Sequence, residues 1–382
     1  MSNMQNTILI SAGIVASLPL IAAGHFLCFG WPARKAQILS RFSDDSIKHY
    51  RATFCPQARF TNSSEFEREY NNRYGRRLFF FPVLVLAAAL IFFSYLSTSW
   101  VLSHQWSASN DSAAAIAISS LAGAYVWVTY DLILRARQND VVTSDINRAT
   151  LRLLVSLPFG FAITAFASKA LPDTSVTIAT PALAFFVGAF PTDSVLKFMR
   201  RTAGTVLNMD AGAGEEGIKQ LTSIPGISGP IAERLIDEGV KTKLQLAYTD
   251  PIHLTIKSGM DFAFILMCCG QALVRVNFDD EQIKVVERFG LRTGFEIKAL
   301  NDGLNDYDEA VANTPLGQAR PDPTAAQARA IAQLGHFATA LQMDQSAVRF
   351  MLDQIAEDPH TRFIWWMWPD TEGGRGEAEG TG

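Results

Sequence analysis

Cysteine is scarce in this chain of 382 residues. The four present are Cys28, Cys55, Cys268 and Cys269, with no C-x-x-C and no Cys/His spacing of the kind that builds a zinc site. They read as buried or free thiols. Charge is scarce too, at 18% of residues, and it nearly balances to a formal net charge of −4, so the chain as a whole is not drawn to nucleic acid. The short motifs of nucleotide and hydrolytic chemistry are missing: there is no G-x-x-x-x-G-K-[ST], no H-E-x-x-H and no G-x-S-x-G, and the six histidines are scattered. The expectation is a protein that is not an enzyme and has no catalytic, metal or cofactor residues.

What the chain has in abundance is apolar sequence. Hydrophobic residues make up 48% of it and are concentrated in the first half, which implies membrane spans followed by a soluble part. Runs at 7–30, 78–102, 113–134 and 153–171 are each near the roughly 20 residues that cross a bilayer as a helix. A fifth begins near 175 and is weaker: interrupted by Pro181, Pro191 and Asp193, it reads as either a short tilted span or a kinked one that continues to 198. The start, MSNMQNTILI, has no positive charge, so the first run reads as a retained helix and not a signal peptide.

Basic residues are held on the cytoplasmic side of span ends. Arg34, Lys35, Arg41, Lys48, Arg51, Arg59, Arg68, Arg73, Arg76 and Arg77 crowd the first loop; Arg135, Arg137, Arg148 and Arg152 fall in the third, and Lys197, Arg200 and Arg201 cluster at the C-terminal end of the fifth run. The loop SWVLSHQWSASND between the second and third runs has no Lys or Arg. The expected layout is a first span at 1–30 with the N-terminus outside, a basic cytoplasmic loop at 31–77, four further spans within 78–201, and a cytoplasmic remainder in a cell inner membrane. Trp31, Trp100 and Trp106 sit near the expected interfaces, and Lys169 snorkels from a helix end.

Few polar groups lie inside these runs. Asp131 is four residues before Arg135, a spacing that predicts a local ion pair, and His25 is placed for an interfacial hydrogen bond. Ser119 with Gly123, and Gly160 with Thr164, have the small-xxx-small spacing that lets helices approach closely within one bundle or between copies in a homo-oligomer. In the first loop, SEFEREYNNRYGRR reads as a helix capped by Ser64. Its Arg73, Arg76 and Arg77 are candidate contacts for anionic lipid headgroups, although a topological signal accounts for them and is preferred.

After the Gly-rich stretch MDAGAGEEG comes LTSIPGISGPIAERLIDEGVKT, residues 221–242. Gly226 permits a tight turn, Ala232 lets two helices pack closely, Gly239 stops the second helix, and Thr242 and Asp250 are N-caps of the next two helices. A second turn falls at Ser258-Gly259-Met260-Asp261. Over about 218–278 this pattern resembles the tandem helix-hairpin-helix domain found in archaeal and eukaryotic RecA-like recombinases and in the RNA polymerase alpha subunit. The resemblance implies hairpin turns at Gly226, Ile227, Ser228, Gly229, Gly259, Met260 and Asp261 that in many relatives hold DNA phosphates.

The residues depart from that use. Pro230 removes a donor, no Lys or Arg lies in the first turn, and Asp261 puts a negative charge in the second. Acids outnumber bases from 215 to 288. Met260 and Phe262 are instead candidate partner-surface residues, together with Trp365, Trp366 and Trp368 of FIWWMWPD. Those tryptophans are expected, in order of preference, to seal the C-terminal helices, to lie at a bilayer interface or to bind a partner.

The expected fold is all-α: a polytopic membrane bundle of five spans, a cytoplasmic helix-hairpin-helix domain at 214–295, a linker at 301–323, and a C-terminal helical hairpin at 324–370 with a disordered tail at 371–382. In the C-terminal part Thr324 with Gln327 predicts a capping box, and Asp344 caps the next helix. The expected partners are the lipid bilayer and a cytoplasmic protein, with nucleic acid disfavoured. A DNA tether and a pore or transport component are the alternatives.

Overall fold

The computed structural model describes residues 2–103, 112–170, 176–189, 212–314 and 318–367. Every regular element among them is helical. The chain divides into two units, the first made of residues 1–36 and 71–211, the second of 37–70 and 212–382.

In the first unit, α1 (Ser2–His25) runs through one π turn (Phe26–Gly30) into α2 (Trp31–Leu39), and α5 (Arg77–Ser103), α6 (Ser112–Arg137), α7 (Thr143–Ala170) and α8 (Val176–Ala189) complete it. Three helical stretches, 5–39, 63–102 and 113–137, are long and apolar enough to cross a membrane. Their apolar side chains face outward as well as inward: Ile10, Ile21, Phe29, Phe80, Phe81, Phe92 and Tyr130 are exposed, while Phe26, Leu86, Leu90, Ala124, Val128 and Leu132 are buried. A helix apolar all round suits lipid on its outer face. The fourth apolar run lies, as far as residue 170, in α7, which also includes Asp145 and Arg152. The fifth is described only as α8, whose 14 residues reach about 21 Å, short of a ~30 Å bilayer core; its continuation past 189 lies outside the described residues, as do Trp106, the Lys169 side chain, Lys197, Arg200 and Arg201.

Glycine sets the closest crossing in this unit. A Cβ on Gly123 would lie 2.0 Å from the Phe185 carbonyl oxygen, and one on Gly188 would lie 2.0 Å from that of Ser120, so α6 and α8 touch backbone to backbone. Gly160 meets the Ser120 side chain in the same way. Of the small residues with membrane-packing spacing, Gly123 and Gly160 therefore lie at crossings. Thr164 turns back to donate to Gly160 O of its own helix at 2.7 Å.

The buried charged groups Asp145 and Arg152, and the Asp131–Arg135 pair, have partners. Arg135 reaches Asp131 at 2.9 Å, as the spacing predicted, and also Asp145 at 3.1 Å. The His25 ring lies against Phe29 with centroids 5.2 Å apart. Arg152, expected in a loop, is only 2% exposed. Its guanidinium donates twice to Gly188 O, at 3.3 and 2.8 Å, and stacks 4.0 Å over Trp127, satisfying a carbonyl that the end of α8 leaves open.

The second unit begins with α3 (Asp44–Phe54) and most of α4 (Ser63–Tyr74), followed by α9 (Gly212–Thr222), α10 (Gly229–Asp237), α11 (Lys243–Ala247), α12 (Pro251–Ser258), α13 (Phe262–Asn277), α14 (Asp280–Arg288), α15 (Gly294–Ala312), α16 (Ala325–Leu341), α17 (Gln345–Ala356) and α18 (Pro359–Met367). Local chemistry sets most of these boundaries. Thr242 accepts from Gln245 N, Asp250 from Ile252 N and His253 N, and Asp344 from Ser346 N, while Thr324 and Gln327 form a reciprocal capping box.

Three sequence expectations need correction. The cap of α4 is Asn62, whose Oδ1 accepts from Glu65 N at 3.0 Å, and Ser64 lies inside the first turn. The 301–323 segment is not a linker throughout: residues 301–312 finish α15, with Asn301 and Leu304 buried, because Leu300 and Leu304 lie one turn apart on a face packed into the core with Leu334, Phe337 and Leu352. The first loop is not a free-standing region either, since residues 37–70 belong to the same compact unit as the C-terminal half.

Candidate functional site

The two turns singled out in the sequence are built as paired helices. Between α9 and α10 the chain reverses at Gly226 with φ of +89°, a backbone that side chains rarely tolerate, and Leu221, Ile224, Ala232 and Leu235 are all at 0% exposure between the helices. Ser228 precedes α10 without a side-chain cap, Pro230 comes at its start, and Ile227 N is used by Ile224 O at 3.1 Å. Ser228 is exposed and Gly229 half-buried. Between α12 and α13 the turn uses Gly259 at φ +76° and Asp261 as N-cap.

The second turn is occupied from within the chain. The Asp261 carboxylate accepts from Ala263 N at 2.8 Å and Phe264 N at 3.1 Å, taking the helix-start donors that an anion would use, and it also accepts from Gln37 Nε2 at 2.8 Å. Tyr50 of α3 donates its hydroxyl to Asp250 Oδ2 at 2.8 Å. Desolvation holds the Asp250 carboxyl above the usual carboxylate range, opposed by the Tyr50 hydrogen bond.

Phe262 does not present a surface. It is 1% exposed, its ring 5.9 Å from that of Phe42, which also packs on Tyr50, Phe66 and Phe363 at 5.8, 5.0 and 6.3 Å. The expectation that Phe262 faces a partner fails because the segment 37–70 supplies the apolar cover; Met260 beside it is half-buried. Rings on this segment carry the packing: Phe42, Tyr50, Phe54, Phe60 and Phe66 form edge, tilted and stacked pairs with one another and with Phe363 of α18. Sequence reasoning passed over these residues. Their signal was the density of aromatics in a loop read only for its basic charge.

The tryptophans of α18 join the same assembly. Trp366 stacks on His49 at 5.1 Å and Trp365 on Phe295 at 4.7 Å, with Lys298 6.0 Å over the Trp365 ring. The rings they stack on belong to α3 and α15 rather than to the C-terminal hairpin, and both indoles are half-buried. Trp368 and the tail lie outside the described residues. Cys268 and Cys269 are buried in α13, and desolvation pushes the Cys268 thiol up to about 12 and that of Cys269 upward as well. Neither has the thiolate character of a nucleophile. Among the described residues no group of His, Cys, Asp and Glu is placed to hold a metal.

The basic candidates lie in the first unit. Arg76 and Arg77 line a cavity of about 370 Å³ with Trp31, Asn71, Asn72 and Gly75; both are exposed, and so is Arg73, which is not part of the lining. No family model, curated protein or solved structure matches this chain.

Proposed function

We propose that this chain is a multi-pass inner-membrane protein whose cytoplasmic helical unit recruits or organises protein partners, with a tandem helix-hairpin-helix at its centre. The observation that carries the reading is the internal use of the second turn: Asp261 takes the donors of α13 and the Gln37 amide, so the atoms that would hold a phosphate already have partners. The first turn has a proline at the start of α10 and no cation. A scaffold of this composition has apolar and hydrogen-bonded surface to offer, and little to offer a polyanion. Five spans, with the N-terminus outside and the second unit in the cytoplasm, accord with the distribution of Lys and Arg.

The test uses the full chain in mild detergent, titrated with duplex and single-stranded DNA at two salt concentrations. No binding at micromolar DNA is expected, and proteins captured with the chain from membranes are expected to survive nuclease treatment. DNA binding whose log affinity falls steeply with log salt would replace this reading with a membrane tether for DNA.

A further inference from the structure

The first unit has a cationic cavity that neither the packing of its helices nor the adaptor reading uses. It is formed where α4 turns into α5, opposite the start of α2, and is lined by Trp31, Asn71, Asn72, Gly75, Arg76 and Arg77. The wall is fixed in place. Trp31 donates its indole N–H to Tyr74 O at 3.2 Å. The turn is tight at Gly75, where a Cβ would lie 2.1 Å from Asn71 O.

Cations gather on the indole face, with the Arg76 guanidinium at 5.3 Å and the Lys35 ammonium at 5.6 Å from the ring centre. No carboxylate lines the cavity, and none among the described residues pairs with Arg76 or Arg77. Arg76 and Arg77 are both exposed and have no acidic residue between them, so an anion entering the cavity meets two neighbouring guanidinium donors.

The level of the cavity along the helices identifies which anion. Phe26 and Phe79 join the two helices ring to ring at 5.7 Å. From there Trp31 is five residues further along the chain and Arg76 three residues back, just before the start of α5, so each lies within about one and a half turns. Beside and beyond that ring pair the surface is apolar and open, with Phe29 and Leu78 next to it exposed by 67 and 50% and Phe80 and Phe81 past it by 70% each. Within that distance, then, the outer surface passes from lipid-facing rings to Trp, Arg and Lys, the sequence of groups that marks headgroup depth.

We propose that this cavity binds the phosphate-bearing headgroup of an anionic phospholipid. The guanidinium groups of Arg76 and Arg77 take the phosphate oxygens, the amides of Asn71 and Asn72 take the polar substituent, and the acyl chains lie along Leu78, Phe80 and Phe81. A zwitterionic lipid brings the same phosphate but also a cation, which Arg76 and Arg77 repel. The inference rests on the first unit being membrane-embedded. That premise fails separately, and visibly, if the chain leaves isolated membranes under alkaline carbonate without detergent.

The test is native mass spectrometry of the full chain in mild detergent, titrated with phosphatidylglycerol, with phosphatidylcholine of the same acyl chains, and with glycerol phosphate. Phosphatidylglycerol is expected to be retained preferentially. Arg76→Gln together with Arg77→Gln is expected to weaken that retention roughly 30-fold, toward the phosphatidylcholine level, while Arg76→Lys together with Arg77→Lys keeps most of it. Should the Gln variant fail to accumulate, the wild-type preference is read against salt instead, and it should shrink as ionic strength rises. Equal retention of the two lipids by the wild type would overturn the proposal, as would a preference insensitive to the Gln changes or to salt. Glycerol phosphate binding as tightly as the lipid would replace it with a site for a soluble phosphate ester.

Discussion

Truncating Phe262 to alanine separates two accounts of the same residue. If Phe262 stood on a surface for a partner, removing its ring would leave stability within about 0.5 kcal/mol of the wild type and abolish capture of that partner. Its 1% exposure and its place against Phe42 give a different figure. A buried Phe→Ala change costs about 3–5 kcal/mol, from lost transfer energy and from the cavity left behind. The neighbouring rings Phe42, Tyr50, Phe66 and Phe363 are pinned by one another, so the void collapses poorly and the upper half of that range applies. Urea unfolding of the full chain in mild detergent, followed by near-ultraviolet circular dichroism, measures the loss. Phe350→Ala, at a position 65% exposed, is the control and should change little. A double-mutant cycle of Phe42→Ala with Phe262→Ala should give a coupling of about 0.5–1.5 kcal/mol. Zero coupling, or a Phe262→Ala chain as stable as the Phe350 control, would refute the packing of segment 37–70 on α13.

Other perturbations probe other contacts. Gly188→Ala places a Cβ 2.0 Å from Ser120 O, so α6 and α8 must separate by ~1.4 Å to restore an ordinary 3.4 Å contact; a thermal melt of the detergent-solubilised chain should show a loss of about 1–3 kcal/mol, and an unchanged melt would refute the crossing. Asp131→Asn removes one of two carboxylates on Arg135 and leaves Asp145 in place, so stability should fall by less than about 1 kcal/mol in the same assay, and a larger loss or lost function at normal membrane levels would show that Asp131 does more than pair. Asp250 has a raised pKa, so its neutral form is the one folding favours; its contribution is complete below the ordinary 3.8 and is lost as pH rises through the folded value. Asp250→Asn should therefore gain stability relative to wild type as pH rises above 3.8, and a difference that stays flat with pH would contradict the burial of that carboxyl. For topology, a cysteine at Ser109 should be labelled from outside intact cells and one at Ser223 only after the membrane is opened, and external labelling of position 223 would invert the arrangement.

What could be read in advance was what short stretches of chain decide for themselves. Thr242, Asp250, Asp344 and the Thr324–Gln327 box cap their helices as read, and Gly226 and Gly239 take the positive φ their turns require, because each depends on atoms within a few residues. The Asp131–Arg135 pair is local in the same sense. The companions of Phe262 were not legible: its neighbour Phe42 lies on a segment that composition presents as a basic loop, and no local rule pairs the two. The same holds for 301–312, where Asn, Asp and Gly argue for a loop and burial of Leu300 and Leu304 overrides them. Arg152 was misplaced for a related reason, since the carbonyl it satisfies belongs to a helix 36 residues further on.

The discontinuity of the second unit also has a temporal side. Tyr50 is synthesised 200 residues before its acceptor Asp250, and Thr53 is synthesised 306 residues before Pro359, whose carbonyl accepts from its hydroxyl. At about 5–20 residues per second, the rings of segment 37–70 wait on the order of 10–60 s for the surfaces that will cover them. Throughout that interval Phe42, Tyr50, Phe54, Phe60 and Phe66 are an uncovered apolar cluster on a nascent chain whose later apolar helices have still to be made. A chaperone that shields aromatic segments would find its target here during translation and lose it once α18 has been made, and a ribosome stalled before residue 359 would leave that target permanently displayed.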